Sequence, residues 1–346
     1  MYPERSVVKD LRVLTEQFIP SRVLHRDGQL KAIRDNVAPM IDEQTPRNTF
    51  IHGFPGTGKT CISRYVCGEL SSYSSSVLSS YTNCWENPSR FRILYNILRD
   101  IGNFPIVHRK GTPTDEILEM IGRSLHGKQC TVILDEVDKI DDDMVLYDLL
   151  GLKNICLILI ANSRTALYNV DPRIRSRLAS LEGIEFPPYN YAEIVEILED
   201  RAEWGLFPGA VKKAQLERIA RLGNGDCRAS IEMLRVAAEE AERKGLDGIT
   251  DDLVGRAVSG TGLFRSERSE AILNDHQKLI LGIVSEAGSI DSGELFRRLS
   301  AASEKGGLEK IVDRTFRNYT GKLVRYSMLR SSGKGRWRVF SLPEKG

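Results

Sequence analysis

No stretch of this 346-residue chain approaches the ~20 consecutive apolar residues that a membrane-spanning helix requires. The first residues, Met-Tyr-Pro-Glu-Arg, lack the apolar core of a signal peptide. Both absences predict a cytoplasmic protein with no membrane partner. The six cysteines (Cys61, Cys67, Cys84, Cys130, Cys156, Cys227) include no C-x-x-C pair and have no histidine at metal-ligand spacing. That excludes a zinc ribbon or a disulfide framework, and buried free thiols are expected instead. Charge of one sign is also missing: the net charge is only +2, so its distribution along the chain has to be examined before any partner is inferred. Apolar residues at 41% and charged residues at 28% are those of a globular protein, with length for two or three domains.

The chain does contain Gly53-Phe54-Pro55-Gly56-Thr57-Gly58-Lys59-Thr60, a complete G-x-x-x-x-G-K-T phosphate-binding loop. Its glycines let backbone N–H groups turn inward around an anion with no Cβ in the way. Residues Pro55 to Cys61 would surround the phosphates of ATP or ADP. Lys59 can reach the β- and γ-phosphates, and the Thr60 hydroxyl can ligate Mg²⁺. The flanks agree: Asn48 to His52 reads as a short strand, and Cys61 to Leu70 as a helix whose N-terminus adds partial positive charge.

A second motif answers the first. Cys130-Thr131-Val132-Ile133-Leu134 is an apolar, β-branched run that ends in Asp135-Glu136. A buried parallel strand would deliver both carboxylates to the end of a sheet beside the loop. Asp135 would hold Mg²⁺ through its water shell, and Glu136 would orient the water that attacks the γ-phosphate.

Strands are predicted at 48–52, 77–83, 130–135, 155–161 and 183–186, and helical periodicity near 59–70, 88–101 and 114–126. This alternation predicts a mostly parallel, three-layer α/β domain over residues 1–188. Pro187-Pro188 ends the pattern. Residues 189–258 read as all-helical, with Ile194, Val195, Ile197, Leu198 and Ala202 on one face and Ile231, Leu234, Ala237 and Ala238 on another. Residues 259–271 read as a linker.

Residues 272–346 predict a third unit. Helices are expected at about 275–287, from near Ser292, and over about 312–325, followed by a turn at Ser331 to Gly335 and a strand at Arg336 to Leu342. Three helices and a terminal hairpin are the order of a winged helix-turn-helix, whose third helix enters the DNA major groove. From Ile311 to Gly346 there are nine Lys/Arg and two Asp/Glu, a local charge of about +7 hidden by the global balance. Phe316, Tyr319, Leu323 and Val324 would face inward. Arg314, Arg317 and Asn318 are candidates for base edges, Lys322 lies further along the helix, and Lys334, Arg336 and Arg338 in the wing would meet phosphates or the minor groove. Trp337 is expected to pack the wing onto the core.

With three domains in this order, the chain resembles the archaeal origin-recognition initiators of the Orc/Cdc type, which are AAA+ ATPases with a helical lid and a C-terminal winged helix. Phe18 to Asp27 resembles the family's N-terminal box that holds adenine, which implies nucleotide contacts from Ile19 and Arg26. Tyr81-Thr82-Asn83-Cys84 and Ser89 to Leu94 resemble its second strand and initiator-type helix, and Phe186 to Tyr189 its base-to-lid junction, with Tyr189 beside the nucleotide. The resemblance further implies that Asn162, after the strand at 155–161, is the sensor-one residue. Arg228 in Gly225-Asp226-Cys227-Arg228 is then the sensor-two arginine, reaching from the lid to the γ-phosphate. Asp171 to Leu178 resembles the box that supplies an arginine finger to a neighbouring subunit, with Arg177 the best placed and Arg173 and Arg175 behind it. The segment after Gly102 is compact for the family, and Arg90, Arg92 and Arg99 do not share one helical face.

The expectation is therefore an ATP-dependent replication initiator that binds double-stranded origin DNA. Its ATPase would be slow, Mg²⁺-dependent and regulatory, and its partners like initiator subunits and the replicative helicase. Two other readings stay open on sequence: a clamp-loader or branch-migration remodelling ATPase, and a nucleotide-gated transcription regulator.

Overall fold

The computed structural model describes residues 6–102, 112–168, 170–257, 273–305, 308–309, 311–325, 328–333 and 338–342, without the side chains of Lys305, Lys322 and Arg325. The chain divides into two compact units, Met1–Thr261 and Gly262–Gly346.

In chain order the first unit holds α1 (Asp27–Val37), β1 (Thr49–Gly53), α2 (Lys59–Tyr73), β2 (Val77–Asn83), α3 (Arg90–Ile101), α4 (Thr114–Ser124) and β3 (Gln129–Asp135). It continues with α5 (Met144–Gly151), β4 (Ile155–Ala161), α6 (Pro172–Leu178), β5 (Glu182–Phe186), α7 (Tyr191–Gly205), α8 (Lys213–Gly223), α9 (Cys227–Arg243) and α10 (251–257). The five strands form one parallel sheet in the order β2-β3-β4-β1-β5. Parallel strands buried on both faces need continuous apolar runs, and β4, Ile155 to Ala161, is buried at every position. One face packs Ile93, Ile97, Ile117 and Leu149 from α3, α4 and α5. The other packs Ile33, Ile62 and Val66 from α1 and α2. The result is the three-layer α/β arrangement, with the carboxyl ends of all five strands on one side.

A separate apolar cluster forms the helical lid, where Ile194 and Leu198 of α7, Leu216 and Ile219 of α8, and Leu234 and Ala238 of α9 meet. Asn190 caps α7 and exchanges hydrogen bonds with Glu193, a capping box directly after Pro187-Pro188 that fixes where the lid begins. The N-terminal segment is a strap on this lid. Val8 bridges Leu206, Phe207 N–H donates to Val7 O at 3.0 Å, and Glu242 of α9 accepts from the Val7 and Val8 N–H groups at 2.6 and 3.0 Å. Buried Arg201 donates to Val13 O at 3.0 Å and lies over the Phe18 ring.

The second unit contains α11 (Asp275–Ala287), β6 (Ser289–Asp291), α12 (Ser292–Lys305), α13 (Asp313–Arg325), β7 (Arg330–Ser332) and β8 (Val339–Ser341). Its strands make an antiparallel sheet ordered β6-β8-β7. Ile280, Leu295, Leu299, Phe316, Leu323 and Phe340 form its core, which is a winged-helix arrangement. Ser331 and Ser332, expected in a turn, are instead strand residues paired with Phe340 and Val339. Their polar, exposed side chains give no strand signal, and the pairing rests on β8. The expected linker at 259–271 lies outside the described residues.

Glu242→Ala should release the strap, because two backbone N–H groups lose their acceptor, at a cost of about 1–3 kcal/mol to the lid. Hydrogen exchange at residues 7–14 checks this. Faster exchange confined to the strap is expected, and unchanged protection would show that the carboxylate does not anchor it.

Candidate functional site

The loop Gly53–Thr60 leaves β1 and enters α2 with three glycines at positive φ, Gly53 at +151°, Gly56 at +74° and Gly58 at +92°. A Cβ on Gly56 would lie 1.9 Å from the Asp226 carboxylate, and one on Gly58 would lie 2.8 Å from the Tyr189 hydroxyl, so only glycine fits under the lid here. Thr57 is buried and closes the loop by donating to Phe54 O at 2.8 Å, while Pro55 is exposed at its tip.

Lys59 donates from Nζ to Gly53 O at 2.7 Å, Phe54 O at 2.8 Å and Asn162 Oδ1 at 3.1 Å. Burial pushes its pKa down to about 8, against the opposing pull of the Asp135 carboxylate. The Thr60 hydroxyl donates to Asp135 Oδ2 at 2.6 Å across 75 residues of sequence. The structure therefore brings Lys59, Thr60, Asp135 and Asn162 within direct hydrogen-bond reach, from the loop and the ends of β3 and β4.

Glu136 follows with φ +54°, an uncommon conformation for a side chain with a Cβ and one that clusters at functional sites. Burial, together with the carboxylates of Asp135 and Asp138, pushes its pKa up to about 7. A hydroxyl and a carboxylate oxygen in contact, beside a glycine-rich loop and a lysine, fit Mg²⁺ and a nucleotide phosphate by donor chemistry.

Lid residues close one side. Asp226 caps α9 by accepting from Ala229 N at 3.0 Å, and Cys227 N donates to Gly56 O at 3.2 Å, so the helix N-terminus rests on the loop. Arg228 is 55% exposed, pairs with Glu16 of the strap at 3.6 Å, and its charge adds to the lowering that burial imposes on Lys59 and opposes the rise that burial imposes on Glu136. Arg26 differs from expectation. It is only 4% exposed and donates to the backbone oxygens of Thr57, His25 and Pro187, with its guanidinium 3.6 Å from the Tyr189 ring centroid. It fastens the loop and the base-to-lid junction from behind. Ile19 is half-buried between the strap and α1, and Cys61 lies in the first turn of α2, its thiol pKa raised by burial.

The three finger candidates separate. Arg173 pairs with Asp171, and Arg175 donates to Tyr168 O and Val170 O. Arg177 is exposed and lies over the Tyr147 ring at 4.0 Å. Arg90 pairs with Asp148 at 2.6 Å and Arg99 with Asp100 at 2.9 Å.

On the second unit, Arg314, Arg317 and Asn318 are exposed on α13, opposite buried Phe316, Thr320 and Leu323. Arg317 pairs with Asp313 one turn back at 2.5 Å, a surface pair worth about 0.3–0.5 kcal/mol and easily exchanged for another anion. Arg338 is exposed, whereas Lys334, Arg336 and Trp337 and the side chain of Lys322 lie outside the described residues. Sequence reasoning missed the strap and Arg201, whose only signals are short apolar pairs and an arginine on an apolar helix face.

The raised pKa of Glu136 has a consequence for stability. Relative to the ordinary value of 4.5, the folded state disfavours the ionised carboxylate, so stability is full at low pH and is lost as pH rises through about 7. In buffer without nucleotide or Mg²⁺, Glu136→Gln should therefore gain on the order of 2 kcal/mol over the native protein near pH 8 and almost nothing near pH 4. Thermal melts across that range check it, and a pH-independent difference would contradict the burial of this charge.

Comparison with known proteins is consistent with this geometry. Residues 41–166 match the AAA domain and residues 195–259 the Cdc6 AAA+ ATPase-type lid domain. ORC1-type DNA replication protein 9 of Halobacterium salinarum is 34% identical over 337 residues, covering 97% of this chain and 94% of that protein. ORC1-type DNA replication protein 1 of the same organism is 36% identical over 291 residues, 84% of this chain and 94% of that one. The Aeropyrum pernix ORC1 protein, solved in complex with DNA, superposes with a TM-score of 0.81 at 26% identity, covering 98% of this chain and 94% of that one. The Aeropyrum pernix ORC2 protein, solved as ADPNP-ADP complexes, gives a TM-score of 0.69 at 26% identity, covering 99% and 95%. The chain belongs to the archaeal ORC1-type/Cdc6 family of replication-initiator AAA+ ATPases.

Proposed function

We propose that the chain binds double-stranded origin DNA through α13 and the wing, and that ATP bound under the lid sets its conformation. The observation that carries the nucleotide half is the convergence of Lys59 on Asn162 and Thr60 on Asp135 around a glycine cradle. Lys59 would exchange its loop carbonyls for the β- and γ-phosphates, and Thr60 and Asp135 would hold Mg²⁺, which spreads the phosphate charge. Glu136 would accept a proton from the attacking water, and Asn162 would hold that water or the γ-phosphate.

Arg228 sits on the helix whose N-terminus touches Gly56, so a γ-phosphate that draws it inward would pull on α9 and the lid. Hydrolysis would be slow in an isolated chain, since Arg177 is exposed on α6 over Tyr147 and would complete the site of a neighbouring like subunit. Loading of the replicative helicase would be the step that the ATP-bound assembly serves.

The DNA half is supported by the exposed Arg314, Arg317 and Asn318 and by the local charge of about +7. The Aeropyrum pernix ORC1 protein was solved in complex with DNA, which favours DNA as a ligand of this chain. Arg317→Ala should weaken duplex binding by about 1–3 kcal/mol and relax specificity at one base position. Equal affinity of native and variant for an origin duplex would move the reading surface off α13. Genome-wide mapping of the bound protein tests the function as a whole. A few sharp peaks at replication start regions are expected, and dispersed promoter peaks would assign the chain to transcription control instead.

A further inference from the structure

The Asp135 carboxylate accepts three hydrogen bonds. Its Oδ2 takes one from the Thr60 hydroxyl at 2.6 Å and one from the Tyr81 hydroxyl at 3.2 Å, and its Oδ1 takes one from the Glu136 N–H at 2.9 Å. Thr60 and the Glu136 backbone belong to the two nucleotide motifs. Tyr81 belongs to neither. It stands on β2, where Asn83 pairs with Asp135 and Tyr81 with Ile133. Residues 81 and 83 share a face of the strand, so the long phenol ring leans forward along β2 to meet the carboxylate at the end of β3.

The ring is itself held. Arg64 of α2 lies over it, with its guanidinium 5.0 Å from the ring centroid. Arg64 is one helical turn after Thr60, so both residues occupy the same face of α2. Thr60, Asp135, Tyr81 and Arg64 thus close a circuit that returns to the helix it left, drawing on α2, β2 and β3. Packing alone does not call for the hydroxyl. The Tyr81 ring rests against the apolar cluster of α1 and α2, a contact that phenylalanine would make equally well.

We propose that Tyr81 is a positioning residue for the metal of the bound nucleotide, acting through Asp135. This rests on the Mg²⁺–nucleotide reading above. Once Thr60 turns its oxygen to the cation, Asp135 keeps two donors, one on each oxygen: the Tyr81 hydroxyl and the Glu136 N–H. These two fix the plane of the carboxylate and so the direction of its remaining lone pairs. Supporting groups of this kind set how well a ligand presents itself, and their removal costs about 10–100-fold in metal affinity.

The test is Mg²⁺-dependent nucleotide binding by the full chain, with fluorescent ADP and ATP analogues as probes, for native protein and Tyr81→Phe. Affinity in excess chelator should be the same for both. The Mg²⁺ concentration at half-maximal tightening should be about 10-fold higher for the variant. Combined with Asp135→Asn, Tyr81→Phe should add nothing, because its only route to the metal is already removed.

An unchanged Mg²⁺ midpoint would overturn the proposal while leaving the nucleotide site intact. A Tyr81→Phe loss that is equally large in chelator, or an additive loss in the double variant, would assign Tyr81 to packing and overturn it as well. Failure of the native chain to bind either analogue under any condition would remove the nucleotide reading itself, and the proposal with it.

Discussion

The hydrogen bond from the Thr60 hydroxyl to Asp135 joins two motifs 75 residues apart, and most of the candidate site depends on what makes that contact possible. Both residues sit where strands of a parallel sheet end. The order β2-β3-β4-β1-β5 places β4 between the loop-bearing strand and the acidic one. Asn162, at the end of β4, therefore falls between them and meets Lys59. Had any of these strands run antiparallel, its carboxyl end would be on the far side of the molecule. The apolar, β-branched runs of β3 and β4 are thus functional as well as structural, because the helical crossovers that keep the strands parallel also cover both faces of the sheet and require apolar residues on each.

The same geometry explains why burial and charge coexist here. Lys59 and Glu136 are both taken from water, and the pKa of each moves toward neutrality, down to about 8 and up to about 7. A site in which burial penalises the charge of a lysine and of a carboxylate gains most from a ligand that brings negative charge to the first and positive charge near the second. The lid contributes through backbone and side chain together: Cys227 N donates to Gly56 O, and the Asp226 carboxylate against Gly56 leaves no room for a Cβ. Arg26 secures the same loop from the other side, tying it to Pro187 where the lid begins.

Much of the architecture was legible in sequence because hydrophobic period and punctuation agreed. The strand at 155–161 begins and ends where its apolar run does, and the strand at 77–83 falls at its predicted bounds. The helix at 275–287 is bounded by Asn274, an N-cap, and Gly288. Where the signal was carried by few residues, it failed. α6 has seven residues, five of them polar or proline, and reads as a basic turn. β7 is three exposed polar residues that exist as a strand only through β8. The nucleotide motifs were legible because their chemistry fixes residue types at fixed spacing. Arg26 was placed near the nucleotide from family likeness alone, and its partners, three backbone oxygens and the Tyr189 ring, leave no trace in sequence. Tyr81 was visible only as part of a strand, since its reach to Asp135 requires the register between β2 and β3.

The central claim is that nucleotide binds between the glycine loop and the N-terminus of α9, so that base and lid respond together. Hydrogen exchange of the full chain, with and without ATP and Mg²⁺, tests this most directly. The account predicts protection concentrated in residues 54–61, at 135–136 and at 226–230, appearing together as nucleotide is added. Protection of the loop with α9 unchanged would contradict the coupling to the lid, and no protection in any of these segments would contradict the site.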